Sequence, residues 1–126
     1  MQAISIRQPE AWLIVKGYKD IENRSKPTRK RGLVAVHASS KRMTRDDWDW
    51  LRELCGDNGL AVPSESEIHY GGVVGIMEIT DCVTESESSW FDGPYGYVLG
   101  GYAETPFLPC PGRLGWFDVD VTITEE

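Results

Sequence analysis

The sequence predicts an α+β fold: a small, mixed and partly open β-barrel with two short flanking helices. Two observations lead to this prediction. Six segments have the composition of extended strands, and two others show the apolar spacing of short helices. A length of 126 residues, 40% of them hydrophobic, fits one domain, residues 1–126, that buries its own core.

The first elements are a strand at 3–6 and a helix at 9–17. Pro9 suits the first turn of a helix, and Gly17 suits the cap at its carboxyl end. Apolar side chains recur at helical spacing and should face the core: Ala11, Trp12 and Val15.

Residues 20–24 are predicted to be extended, with Glu22 and Arg24 on one face of a short strand. A basic loop at 25–32 contains proline and glycine as breakers. The β-branched run at 33–39 then predicts a strand in the centre of the sheet.

The second helix is predicted to begin after Thr44, which forms a weak capping box with Asp47, and to end at Gly56. Polar, turn-rich residues at 56–70 predict a loop. The helix carries an apolar stripe at positions i, i+3 and i+7: Trp48, Leu51 and Cys55.

The clearest strand is predicted at 71–83. Its glycines indicate a bulge or a close approach of the backbone to another group, and they are Gly71, Gly72 and Gly75. Strands at 97–102 and 115–124 complete the set. In the last strand, apolar residues alternate with polar ones: Phe117, Val119, Val121 and Ile123.

Charge is unevenly distributed along the chain, whose net charge is −7. Residues 1–45 hold 11 Lys or Arg against 3 acidic side chains, whereas residues 46–126 hold 2 against 17. The basic third can attract an anion, while the acidic remainder repels a long polyanion. This favours single-stranded RNA or a small nucleotide-like ligand over a long duplex. The alternative is a solvated charged surface without a partner.

Several classes of protein and site have no support in the sequence. There is no P-loop, dinucleotide fingerprint or zinc-protease motif. We expect no cofactor, no metal, no secretory signal and no membrane span. Three widely spaced cysteines predict free thiols in a reducing cytoplasm, and the oligomeric state stays open.

The strongest candidate for chemistry is a trio formed by Lys19, Glu22 and Arg24. A carboxylate between two cations is held ionised and oriented, and the trio can hold the anionic group and the hydrogen-bonding edge of a ligand. With a desolvated lysine, the trio can also supply general acid–base chemistry. The alternative is an ion pair between Glu22 and Arg24 that only fixes the strand end, with Lys19 solvated.

Glu78 is the second candidate acid. Strict alternation places it on one strand face with Val74, Ile76, Thr80 and Cys82. A carboxylate on such an apolar face should have a raised pKa unless a cation lies near. The alternative is an edge strand whose glutamate reaches water.

Two further groups of candidates are weaker. His37 and Ser39 alternate along a strand, but nothing orients the histidine as a base, and a structural role is the stronger interpretation. Trp90 and Tyr95 lie in an aromatic loop that either stacks nucleic-acid bases or plugs the barrel.

Five segments together resemble the ASCH domain of the PUA-like superfamily: 5–24, 36–39, 71–83, 90–99 and 106–119. The motif G-x-K-x-x-E-x-R is present as Gly17, Lys19, Glu22 and Arg24. The resemblance covers nearly the whole chain and leaves mainly 45–70 as a variable insertion.

The resemblance implies a PUA-like barrel with a cleft around Lys19, Glu22 and Arg24 that takes RNA or a nucleotide-related ligand. It also implies an alternative, a hydrolase, because some members are single-strand ribonucleases and a distant branch deacetylates acetylcytidine. That branch uses a lysine, a threonine three residues later and a glutamate; here Glu22 holds the threonine position. The implied catalytic residues are Lys19, Glu22 and Glu78. The implied ligand-binding residues are Arg7, Gln8, Pro9, Trp12, Arg24, His37, Ser39, Trp90 and Tyr95. An interaction adaptor without a nucleic-acid ligand is the third hypothesis.

Overall fold

The computed structural model describes residues 1–121, which form six strands and two α-helices around one mixed sheet. The elements, in chain order, are β1 Gln2–Ile6, α1 Glu10–Val15, β2 Ile21–Arg24, β3 Gly32–Ala38, α2 Arg45–Asp57, a 3-10 turn Glu65–Glu67, β4 Gly72–Val83, β5 Tyr95–Pro109 and β6 Trp116–Asp118.

The strand order across the sheet is β2-β5-β4-β3-β1-β6. Only β1 and β3 run parallel, and the chain between them makes the crossover through α1 and β2. The remaining neighbours are antiparallel, including the long β4–β5 hairpin at the centre. This half-barrel with two short helices confirms the predicted α+β class.

Helix α1 packs on the sheet core through Ala11, Ile14 and Val15, while its Trp12 and Leu13 are buried in a second cluster with α2. Gly75 in β4 allows this approach, since a Cβ there would lie 2.6 Å from Cγ1 of Val15. The predicted close backbone contact is therefore confirmed. Gly17 ends the helix with φ of +81°, as its position predicted. Because α1 sits directly on the strands, the segment that follows it is held against the same sheet.

Helix α2 begins with a full capping box, stronger than the sequence suggested. The Thr44 hydroxyl accepts from the Asp47 amide at 3.2 Å, and the Thr44 amide donates to the Asp47 carboxylate at 2.8 Å. Its predicted end at Gly56 was wrong, because the helix continues to Asp57 and Gly59 takes the positive φ of the turn. Among residues 1–121, no helix combines the length and the apolar composition needed to cross a membrane.

The prediction for the face of β4 was wrong. Val74 joins Met77 and Ile79 in the core, whereas Glu78 is only half-buried. The pairing of β4 slips against both neighbouring strands between Val73 and Gly75, which shifts the alternation by one residue. Glu78 therefore lies opposite the core face and is placed beside Gly101 of β5.

The last strand is shorter than predicted and covers Trp116–Asp118 of the predicted 115–124. Phe117 is buried there against His37, with an edge-to-face ring contact of 5.4 Å between centroids. Ile123 lies outside the described residues.

Candidate functional site

Lys19, Glu22 and Arg24 come together as the sequence predicted. Lys19 Nζ lies 3.5 Å from Oε1 of Glu22, and Arg24 Nε lies 3.1 Å from Oε2. The side chains of Lys19 and Glu22 are only 6% and 8% exposed, while that of Arg24 is 29% exposed. The solvated-lysine alternative is therefore wrong, and the trio is a buried charge cluster with one open edge at Arg24.

Local structure places the three side chains. Helix α1 ends at Gly17, and the backbone amides of Tyr18 and Lys19 both bond to the Leu13 carbonyl, which turns Lys19 inward. Strand β2 then pairs Glu22 with Tyr97 and Arg24 with Tyr95 on β5. Because alternate residues of a strand share a face, Glu22 and Arg24 meet the lysine on the same side.

The pKa of the Glu22 carboxyl is raised above its ordinary value of 4.5, chiefly by burial. Lys19 and Arg24 act in the opposite direction, because each cation favours the ionised carboxylate. A raised carboxyl pKa beside a buried lysine is typical of sites that bind polar ligands or move protons.

Arg24 has donor capacity left for a ligand. Its Nη2 donates to the Ser5 carbonyl at 2.8 Å, which fixes the guanidinium. Its Nε–H is not aimed at the nearby Glu22 oxygen, and among residues 1–121 this buried group finds no hydrogen-bond partner. Because the Arg24 side chain is 29% exposed and lines the cavity described next, part of its guanidinium remains within reach of a ligand.

The trio lies at a cavity of about 340 Å³, within the size range of about 300–1,000 Å³ for small-molecule sites. Arg7 and Gln8 line it as well, in agreement with the sequence prediction. Glu10 and Asp47, which were not predicted, also line this cavity. Asp47 comes from α2, so its position could not be read from local spacing around the motif.

Three of the predicted ligand-binding residues have structural roles, although one of them, Gln8, also lines the trio cavity. The Gln8 side chain accepts from the Trp12 amide at 2.9 Å and donates to the His69 carbonyl at 3.0 Å, so it caps α1. Trp12 is buried in the cluster between α1 and α2, away from the trio cavity. Pro9 is also buried, and it immediately precedes the first residue of α1.

A larger cavity of about 980 Å³ adjoins the first and shares three lining residues with it: Ser5, Arg7 and Arg24. His37 and Ser39 line it, as does the loop at 110–115. The two cavities are therefore neighbours that share a wall formed by Ser5, Arg7 and Arg24.

His37 supports the larger cavity and keeps neither ring nitrogen for a ligand. Its Nε2 lies 2.8 Å from the Cys110 carbonyl oxygen, which can only accept, so Nε2 carries the proton. Nδ1 then accepts from the Ser5 hydroxyl at 3.1 Å. The ring is 1% exposed. His37 thus anchors the 110–115 loop, the structural role that the sequence favoured.

Trp90, Tyr95 and Glu78 line neither cavity. Trp90 packs at the edge of the α2 cluster and meets Trp50 edge to face, and Tyr95 packs on the main core. These contacts favour the plug over the base-stacking platform. Glu78 makes no contact with Lys19 or Arg24 among the described ion pairs and hydrogen bonds.

Asn23 is a residue whose role the sequence did not reveal. Its amide donates to the Trp90 carbonyl at 2.9 Å, and its oxygen accepts from the amides of Asp92 and Gly93. It ties the aromatic loop to β2 on the face opposite Glu22. Its place inside the motif, between Glu22 and Arg24, was the available signal.

Comparison with known proteins gives a family. A family model described as the ASCH domain matches residues 4–109. The matched range begins within β1, at Ile4, and includes both helices and strands β2 to β5. No curated protein matches the sequence. Within residues 1–121, no group of three His, Cys, Asp or Glu side chains is placed to hold a metal ion. The fold, the buried motif and the match agree, and the chain belongs to the ASCH domain family.

Proposed function

We propose that this protein binds single-stranded RNA or a nucleotide, with the base held at Lys19, Glu22 and Arg24. ASCH domains are in general RNA-binding domains with a PUA-like fold, which supports the class of ligand. The observation that carries the proposal is the Glu22 carboxylate, buried between two cations on the wall of an open cavity.

The cavity offers a mixed hydrogen-bonding edge. The Glu22 carboxylate accepts, while Lys19 Nζ and the Arg24 guanidinium donate. A base that presents a donor beside an acceptor complements this arrangement, for example through an exocyclic amine or a guanine edge. A ligand edge that has only acceptors would leave the Glu22 carboxylate without a hydrogen-bond donor. Such ligands should therefore bind less tightly, and this gives the cavity its selectivity.

The first test is a thermal-shift screen against nucleosides, nucleotides, short single-stranded RNA and a matched duplex. A specific ligand at 100 times its Kd should stabilise the fold by about 2.7 kcal/mol. Glu22→Gln should abolish this stabilisation, whereas Glu53→Gln on the exposed face of α2 should keep it. Equal binding by both variants, or equal affinity for duplex and single strand, would contradict the proposal.

A second candidate function is a single-strand ribonuclease, and the raised pKa of Glu22 beside Lys19 favours it. In this reaction Glu22 takes the proton of the 2′-hydroxyl, whose oxygen attacks the adjacent phosphorus. The bond to the 5′-oxygen breaks, and the Lys19 ammonium gives that oxygen a proton. The products are a cyclic 2′,3′-phosphate and a 5′-hydroxyl end.

Analysis of the RNA recovered from the screen separates the two candidates. Intact RNA supports a binding domain. Cleavage that needs the 2′-hydroxyl and stops in Lys19→Ala supports the nuclease, and cleavage that persists in this variant excludes Lys19 as the acid. A deacetylase is less well supported, because Glu22 replaces the threonine and Glu78 lies outside the cavity. Absence of any ligand would favour the adaptor hypothesis.

We also propose a reducing, cytoplasmic location, in line with the three free cysteines Cys55, Cys82 and Cys110. Expression with a fluorescent tag and fractionation would test it, and recovery from an oxidising compartment would contradict it.

A further inference from the structure

We propose that the larger cavity is a phosphate subsite, which takes the phosphate of the nucleotide whose base enters the trio cavity. The ligand is then a phosphorylated nucleotide or a strand, and a free nucleoside is a poor one. This inference rests on the proposed function. It adds where the protein binds the phosphate of the ligand and which side chains bind it.

The lining of the larger cavity carries the argument. Three arginines contribute to it, Arg7, Arg24 and Arg113, and of the described residues around it none is acidic. Arg7 and Arg113 are exposed, and neither forms an ion pair with another described residue. Arg24 shares its charge with Glu22, so the two unpaired arginines and the lack of a carboxylate in this lining are what favour an anion.

The side chains of the lining suit a phosphate ester. Guanidinium groups bind phosphate oxygens through paired N–H donors. Ser39 and Ser40 add hydroxyl groups to the same lining. At about 980 Å³ the cavity holds more than one ion, so it has room for a phosphate with its attached sugar.

The geometry links this cavity to the base site. Arg24 lines both cavities, contacting Glu22 on one side and the Ser5 carbonyl on the other. The Ser5 hydroxyl is hydrogen-bonded to Nδ1 of His37, and Nε2 of His37 is hydrogen-bonded to the Cys110 carbonyl oxygen. These bonds hold the loop that carries Arg113. The loop passes so near that a Cβ on Gly112 would lie 2.8 Å from the His37 ring. Arg113 is therefore presented at the cavity by a fixed loop.

The test compares affinities for one nucleoside, its 3′- and 5′-monophosphates and a dinucleoside monophosphate. These probes are measured with the wild type, Arg113→Gln and Arg52→Gln. Arg52 is the matched control, because it is exposed on α2, pairs with Asp49 and lines neither cavity. Both substitutions remove one positive charge, at the larger cavity in one case and at an exposed pair on α2 in the other.

The wild type should bind a phosphorylated probe about tenfold or more tightly than the nucleoside, the gain typical of a hydrogen bond to a charged group. Arg113→Gln should lose most of this gain and leave nucleoside affinity unchanged. The advantage of the wild type over this variant should shrink as the salt concentration rises, because salt screens the contact between Arg113 and the phosphate. Arg52→Gln should behave as the wild type. Preference for the dinucleoside monophosphate over both monophosphates identifies a strand as the ligand, and the reverse identifies a mononucleotide.

The results that overturn the inference are distinct from those that overturn the proposed function. If nucleosides bind and phosphate adds nothing, the phosphate subsite is wrong and the base site stands. If Arg113→Gln weakens nucleoside and nucleotide equally, Arg113 contacts the base or supports the loop, and the subsite is again wrong. If no probe binds, the proposed function fails and the subsite with it.

Discussion

Replacing Lys19 by methionine tests whether the trio is a buried charge cluster. The substitution keeps an unbranched side chain but leaves the Glu22 carboxylate, 8% exposed, with Arg24 as its one described cationic partner. Removing one partner of a buried ion pair costs about 3–5 kcal/mol. Since Arg24 stays at 3.1 Å, we expect the lower end, about 3 kcal/mol. This corresponds to roughly 12 °C in Tm for a domain of this size.

The loss should depend on pH in a known direction. Burial already raises the pKa of Glu22 above 4.5, and removing Lys19 raises it further in the folded state alone. At pH values between the pKa of Glu22 in the unfolded state and its pKa in the folded state, the folded protein binds more protons than the unfolded chain. The free energy of unfolding is thus highest at low pH and falls as pH rises through this range, by at most about 1.4 kcal/mol per pH unit.

Denaturant titrations of the wild type and variants across the acidic and neutral range measure both effects. The matched control is Lys16→Met, because Lys16 forms an exposed pair with Glu104 at 3.2 Å and should cost at most about 1 kcal/mol. Adding Glu22→Gln to Lys19→Met should recover most of the stability and remove the pH dependence. Equal costs for the two lysine variants, without a difference in pH profile, would refute the reasoning.

Three further predictions concern the support of the site and the thiols. Asn23→Ala breaks three hydrogen bonds and should lower the free energy of unfolding by about 2–3 kcal/mol. It should also speed proteolysis of the 88–93 loop. The control Asn58→Ala breaks one hydrogen bond and should lower the free energy of unfolding by about 1 kcal/mol. Equal digestion rates would contradict this role. Thr44→Ala should lower the unfolding free energy by about 1 kcal/mol, and an unchanged denaturation midpoint would exclude the capping box. Because burial raises the pKa of the Cys55 thiol, iodoacetamide should alkylate Cys55 last of the three cysteines; early labelling in mapped peptides would show that it is accessible.

The sequence predicted most elements because each has a local cause. The strand at 3–6, helix α1 with Gly17 behind it and the start of α2 at Thr44 follow from apolar spacing and cap residues within a few positions. The trio was predictable for the same reason, since Lys19, Glu22 and Arg24 lie within six positions and the strand period joins two of them.

Predictions that needed a register between distant segments were less successful. Glu78 was placed on the wrong face, because a bulge at Val73–Gly75 shifts the alternation of β4 and no local residue pattern dictates which way. The stacking role of Trp90 lost support for a similar reason, since its packing depends on α2 and on bonds from Asn23.

The sequence by itself determined most elements of this protein, its family and the three residues of the buried charge cluster. Only the tertiary structure decided how deeply the trio is buried, and that a second cavity, lined by Arg113, adjoins the trio cavity at Ser5. The physical reason is that helix and strand periods act over a few residues, whereas burial and cavity walls depend on side chains from distant segments. Residues 5, 24, 37 and 110 become neighbours only when β1, β2, β3 and the 110–115 loop pack together.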